Sequence, residues 1–265
     1  MSRLKKRSLK NIALLVNPLL QWLIPVLILV IWQWIASLEI VSAKLFPTPV
    51  TIAQTGWKLI ASGVLAEHML ISLQRALIGL LIGGGIGLLF GILNACFSIS
   101  YRLFDTTIQM IRNIPHLALV PLIIIWIGIG ETSKVFLVAL GVLFPIYVNT
   151  YHGIRNVSSD LVEMGKVYGL KPSEIFRHIL LPGALPSIFV GLRYALGVMW
   201  LTLIVAETIA TSSGIGYLAM NAREFMQIDI IILSIILYAL FGKIADLLAK
   251  WLETWLLKWN SAYRS

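Results

Sequence analysis

A guanidinium, a carboxamide and an imidazole fall within one short stretch at Arg112, Asn113 and His116, in a chain that is otherwise mostly apolar. Four residues separate Arg112 from His116, the spacing that sets two helical side chains on one face. Pro115 and Pro121 interrupt the same stretch, freeing backbone carbonyls that a helix would otherwise bond. A cation with neighbouring donors suits an anion, and a charge held at membrane depth points to function because it is costly. The plain alternative is that Arg112 snorkels to the cytoplasmic side or pairs with another span. Arg193 has the same ambiguity. Glu207 is a second candidate, a lone acid in an apolar run beside Thr202, Thr208 and Thr211. It either gates a passage or pairs with Arg223 or Arg75. Arg112, Asn113, His116 and Glu207 are therefore the candidate substrate-pathway residues.

Other chemistries lack their residues. No G-x-x-x-x-G-K-[ST] loop occurs, since Gly165-Lys166 is followed by Val167 and Gly242-Lys243 by Ile244. His68, His116, His152 and His178 have no metal-ligand spacing. No G-x-S-x-G elbow is present, so an intramembrane enzyme has no visible catalytic group. Cys96 is the single cysteine and forms no internal disulfide. A sensor or scaffold would need an appended signalling domain, and one membrane domain is expected to fill the chain.

The elements that position these residues are membrane helices. Hydrophobic residues make up 58% and charged ones 12%, against about 25% charged in soluble domains. Spanning the hydrocarbon core takes roughly 20 apolar residues as helix. Six spans are expected: 19–38, 71–94, 106–129, 135–154, 187–210 and 229–256. An N-terminus inside puts Arg3, Lys5, Lys6, Arg7, Lys10, Arg102, Arg155, Lys166, Lys171, Arg177, Lys250, Lys258 and Arg264 in the cytoplasm. Only Lys44, Lys58, Lys134 and Arg223 then lie outside, so both termini are expected in the cytoplasm. The net charge of +9 reflects this topology and anionic lipid, without nucleic acid. The basic start resembles a secretory signal with Val41-Ser42-Ala43 as cleavage site, but the apolar run is too long, and an uncleaved first span is the better reading.

Domain organisation follows: a cytoplasmic segment 1–18, a first span with its outer loop 19–70, a core 71–257 with a cytoplasmic loop 155–186, and a tail 258–265. In the second span Gly79, Gly83, Gly87 and Gly91 recur every four residues, a smooth face for sliding or, more commonly, for plain tight packing. In the last span Lys243, Asp246, Lys250 and Glu253 share a stripe expected to pair with itself. Trp251, Trp255 and Trp259 look like an interfacial anchor.

The loop segment EMGKVYGLKPSEIFRHILLP, residues 163–182, is a polar island between apolar runs. It reads as two short helices meeting at Gly169, with Asp160 as cap and Glu163 at the capping-box position. Gly169 supplies a left-handed stop, Pro172 opens the second helix, and Pro182 closes it. A short helix with a defined end, projecting from a membrane, suits docking into another protein. The docking candidates are Asp160, Glu163, Gly169, Leu170, Lys171, Pro172 and Phe176.

This segment resembles the cytoplasmic signature of permease subunits of ATP-binding-cassette importers: Glu-Ala-Ala, three residues, Gly, then an apolar tail ending in Leu-Pro. Glu163, Gly169, Phe176, Ile179, Leu181 and Pro182 fall on it, and Met164 and Gly165 replace the alanines. In that family the loop is the coupling helix that enters a groove on the ATPase. The stretches DTTIQMIRNIPHLALVPLIIIWIGIGE, LPGALPSIFVGLRYALGVMWLTLIVAETIA and SSGIGYLAMNAREFMQID are similar to the aliphatic sulfonate permeases, within a group that also moves nitrate, taurine and bicarbonate. The resemblance implies an all-α integral membrane protein of type I importer fold, multi-pass in the bacterial cytoplasmic (inner) membrane. It further implies a permease homodimer, two ATPase subunits and an external substrate-binding protein. ATP and Mg belong to the partner ATPase, and this chain is expected to carry no cofactor, no metal and no catalytic residue.

Overall fold

The computed structural model describes residues 23–38, 40, 42–209 and 211–259. Helix α1 covers Leu23–Ser37. Next come α2 (Pro49–Ala61), α3 (Val64–Cys96), α4 (Ser98–Arg112), a 3₁₀ turn (His116–Leu119) and α5 (Val120–Ile127). The chain continues through α6 (Glu131–Arg155), α7 (Ser159–Val167), α8 (Pro172–Ile175), a π turn (Phe176–Leu180), α9 (Leu181–Thr208), α10 (Ile215–Glu224) and α11 (Ile228–Leu256). Among the described residues, four helical runs are long and apolar enough to cross a membrane, or five if a bent pair counts as one. The expected first span, 19–38, begins outside the described residues, and α1 is its described part.

The third expected span, 106–129, is not one helix. Helix α4 ends at Arg112, and the following helical segment departs from it by 80°. Pro115 disfavours helical geometry at Ile114 and offers no N–H, so the ladder stops there. Pro121 does the opposite of what the pattern suggests. It stands in the first turn of α5, where its missing N–H costs nothing.

The fifth expected span, 187–210, belongs to a longer run of 37 residues, Pro172–Thr208. Pro182 therefore does not close the second loop helix. The π turn ahead of it, in which the Leu181 N–H bonds the Phe176 carbonyl, is wider than an α turn and gives the proline ring room. The loop helix and the span are one body.

The core forms where α3, α6 and α9 pack. Ala76, Val138, Val142, Ala195, Met199 and Leu203 are buried together there. The glycine stripe of α3 lies against α6. A Cβ at Gly83 would strike the backbone of Ala139, one at Gly87 the carbonyl of Leu143, and one at Gly91 the Thr150 side chain at 2.7 Å. At Gly83 and Gly87 the two backbones touch with no side chain between them, the arrangement that small residues permit. Gly85, off this stripe, faces open space.

Candidate functional site

Two polar sites emerge, at opposite ends of α9. At the first, Arg75 of α3 is nearly enclosed, with 2% of its surface exposed. Its Nε donates to Glu131 Oε2 at 2.5 Å and its Nη2 to Glu131 Oε1 at 2.6 Å. Its Nη1 donates to Glu207 Oε1 at 2.7 Å. Ser213 takes the remaining N–H groups through its carbonyl and its hydroxyl, each at 2.8 Å. All five guanidinium donors are thus used. Glu207, 0% exposed, also accepts from Ser72 Oγ and Tyr238 OH at 2.8 Å and from the Gly216 N–H at 3.0 Å. Lys134 Nζ contacts Glu131 Oε1 at 3.1 Å, so two cations offset two carboxylates.

The Gly214 N–H donates to His68 Nδ1 at 3.1 Å, and the Ile215 N–H to Ser72 Oγ at 2.9 Å. The knot therefore clips the turn before α10 onto α3. Glu207 has no open face toward a passage, and its partner is Arg75, not Arg223. Of the roles expected for Glu207, the ion pair with Arg75 is the one present here. Ser72, Glu131, Ser213 and Tyr238 went unnoticed in the sequence, because each is an ordinary residue until the fold brings it to Glu207.

Around the bend after α4 the picture is looser. Arg112 is the last residue of α4 and Asn113 its C-cap, both exposed. Because the helix stops there, Arg112 and His116 do not share a helical face. His116 is half-buried, and its Nε2 lies 2.9 Å from Thr202 Oγ1 on α9. The middle of α4 is tied down separately: Tyr147 OH donates to Asp105 Oδ1 at 2.7 Å, and Asn94 Nδ2 to Tyr147 OH at 2.9 Å. The charged stripe of α11 is not self-contained either. Arg193 of α9 takes Asp246 at 2.7 Å and reaches Glu253 at 3.7 Å, whereas Lys243 stands 3.9 Å from Asp246.

The second site is the loop between α6 and α9. Ser158, not Asp160, is the N-cap of α7, accepting from the Asp160 N–H at 3.3 Å. Asp160 sits in the first helical turn, where it still favours the positive end of the helix dipole. Gly169 has φ +76°. The Leu170 N–H bonds the Gly165 carbonyl and the Gly169 N–H the Lys166 carbonyl, both at 3.0 Å, a Schellman stop. Lys171 is the N-cap of α8, its N–H donating to Glu174 Oε2 at 2.7 Å, with Pro172 following it. Gly165 lets Ile175 and Ile179 close on α7, so the two helices form a rigid hairpin.

The hairpin shows distinct faces. Leu161, Met164, Val167 and Tyr168 project outward, the last two 86% and 78% exposed. Glu163, Lys166, Leu170, Pro172 and Phe176 instead line a hollow on the side toward α3. Asp160 and Lys171 are exposed at the hairpin's rim. The apolar tip was missed in the sequence, where Val167-Tyr168 reads as an ordinary helix end.

The sequence profile of the family described as "binding-protein-dependent transport system inner membrane component" matches residues 83–258. A protein of Escherichia coli (strain K12) assigned as the aliphatic sulfonates transport permease SsuC is 57% identical over 242 residues, 91% of this chain and 92% of that one. Its counterpart in Bacillus subtilis (strain 168) is 47% identical over 242 residues, 91% and 87% of the two chains. Among solved structures, an amino acid ABC transporter aligns with TM-score 0.61 at 15% identity, over 77% of this chain and 96% of its own. That likeness carries the fold alone.

Proposed function

This chain belongs to the family of inner-membrane components of binding-protein-dependent transport systems, and we propose that it carries aliphatic sulfonates across a bacterial cytoplasmic membrane. It is a multi-pass membrane transport subunit, not an enzyme, and has the type I importer fold. The observation that carries the substrate is the 57% identity to the Escherichia coli sulfonate permease across nearly the whole of both chains. Nitrate, taurine and bicarbonate are the alternatives within the same group. In cells lacking their own sulfonate permease, expression of this chain with its ATPase and binding protein is expected to restore growth on ethanesulfonate as sole sulfur source. Restored growth on taurine with none on ethanesulfonate would move the assignment to the neighbouring branch.

In this reading two copies of the chain form the passage, two ATPase subunits bind ATP and Mg, and an external binding protein delivers the anion. Both chain termini lie in the cytoplasm, as the distribution of Lys and Arg implies. Arg112 and Asn113 lie where the broken third span leaves polar groups exposed, and they are proposed to face the anion as it passes. The hairpin couples the subunits: the apolar tip at Leu161, Met164, Val167 and Tyr168 enters a groove of the ATPase. Such a plug gains about 25 cal/mol for each Å² of apolar surface it buries. The variant Val167→Asp/Tyr168→Asp replaces two exposed side chains, so the permease is expected to fold and insert. ATPase co-purification is expected to fall by at least about tenfold, a loss of about 1.4 kcal/mol. Undiminished co-purification would remove the tip from the contact.

A further inference from the structure

Behind the hairpin lies a cavity of about 850 Å³, within the size range of about 300–1,000 Å³ typical of small-molecule sites. Its wall begins at Ile92, Ala95 and Cys96 in the last turns of α3 and crosses to α7 and α8. Ser159, Val162, Glu163 and Lys166 point into it, spaced so that one helical face of α7 is committed to the cavity. The opposite wall adds Ile175, Phe176 and Leu180. The outward tip of the same hairpin uses other residues, so filling the cavity and docking a partner do not compete for side chains.

The lining is mostly hydrocarbon, with a small charged group at its edge. Arg155 and Lys166 outnumber Glu163, and among the described residues none of the three forms an ion pair. Ser159 and Ser173 add hydroxyl donors. One side of the cavity is thus the end of a membrane helix and the other an exposed surface helix. A ligand that matches both needs an apolar tail and a single anionic head. We propose that this cavity binds an anionic amphiphile, with an aliphatic chain against Ile92, Val162 and Phe176 and an oxoacid head at Arg155 and Lys166. Such a head is a sulfonate on a free alkyl chain or the phosphate of an acidic lipid of the inner leaflet. Guanidinium and ammonium groups recognise either through charge-assisted hydrogen bonds.

Cys96 makes the test direct, because it lines the cavity, is exposed, and is the single cysteine of the chain. The permease with its ATPase is placed in phosphatidylcholine nanodiscs, and the rate of Cys96 alkylation by a water-soluble maleimide is measured. Decane-1-sulfonate is then added, or part of the lipid is exchanged for phosphatidylglycerol. A ligand at about ten times its Kd leaves the cavity empty about a tenth of the time, so alkylation is expected to slow about tenfold. Slowing by the sulfonate alone identifies a free solute, and slowing by the lipid alone identifies the leaflet. Arg155→Gln/Lys166→Gln, at two exposed positions, is expected to restore the fast rate with ATPase co-purification as the control for folding. Equal slowing by decanol, protection that survives the double variant, or no slowing by either anion would overturn the proposal. A Cys96 already unreactive in the assembled complex would overturn it as well, since the ATPase would then cover the cavity.

Discussion

Glu207→Ala is expected to remove most of the folded permease from the membrane. The substitution leaves the Arg75 guanidinium enclosed with Glu131 as its only acid, and strands Ser72, Tyr238 and the Gly216 N–H without their shared acceptor. Removing one partner of a buried pair costs about 3–5 kcal/mol, a large part of the total stability of about 5–15 kcal/mol that proteins have. The loss should appear as a collapsed yield of monodisperse protein in detergent and a fall in Tm. Two further variants separate charge from shape. Glu207→Gln keeps the size and some hydrogen bonds but not the charge, and is expected to fall between. Arg75→Met/Glu207→Leu removes both ions and should recover the part of the loss that comes from the enclosed guanidinium, while Ser72, Tyr238 and the Gly216 N–H stay without their acceptor. Glu131 tolerates this, being 61% exposed and still beside Lys134. Uptake that is lost in Glu207→Ala while yield and Tm hold would return Glu207 to the transport pathway.

Gly83→Val is expected to be as severe, for a different reason. The obstacle to a Cβ at Gly83 is the Ala139 backbone, not a side chain that can swing aside. Overpacking commonly costs about 1–3 kcal/mol when side chains can adjust. Here the helices themselves must part, and α3 loses its seat on α6, so the effect is expected to exceed that range. Gly85→Ala is the matched control, two residues away with nothing near its Cβ position. Alanine there should be neutral, or stabilising by about 0.5–1 kcal/mol through helix propensity. Thermal unfolding of the two variants side by side decides the matter. A Gly83→Val protein as stable as Gly85→Ala would mean that α3 and α6 do not pack backbone to backbone.

The parts of this fold legible in the sequence were those set by local rules. Apolar length marked the long helices, and Gly169 with Pro172 marked the hairpin, since a left-handed stop and a first-turn proline depend only on the backbone around them. The pairing of Glu207 was legible as a choice between two arginines, because an enclosed acid must find a cation. What the pattern could not show was direction and company. Pro121 and Pro182 read as breaks, yet Pro121 stands in a first turn and Pro182 follows a π turn that makes room for its ring, and only the neighbouring turn decides which role a proline takes. Helix α2 was missed although Thr48-Pro49 carries its signal: the Thr48 hydroxyl accepts from the Thr51 N–H at 3.1 Å. The stripe on α11 looked self-sufficient because Arg193 is distant in sequence and adjacent in space. The tip of the hairpin stayed hidden because exposure is a property of the assembled fold.

The unbroken run from Pro172 to Thr208 has a mechanical consequence. At 1.5 Å per residue its 37 residues make a strut of roughly 55 Å. One end carries the hairpin and the other carries Glu207, which clamps the turn before α10. A strut transmits tilt with amplification: about 5° at the hairpin end displaces the Glu207 end by about 5 Å over that length. The π turn lies within this run, between the hairpin and α9, and does not interrupt it. If the hairpin couples to the ATPase as proposed, a tilt applied there is expected to reach the far end of the run as a displacement of the Glu207 clamp, with no relay of side chains in between.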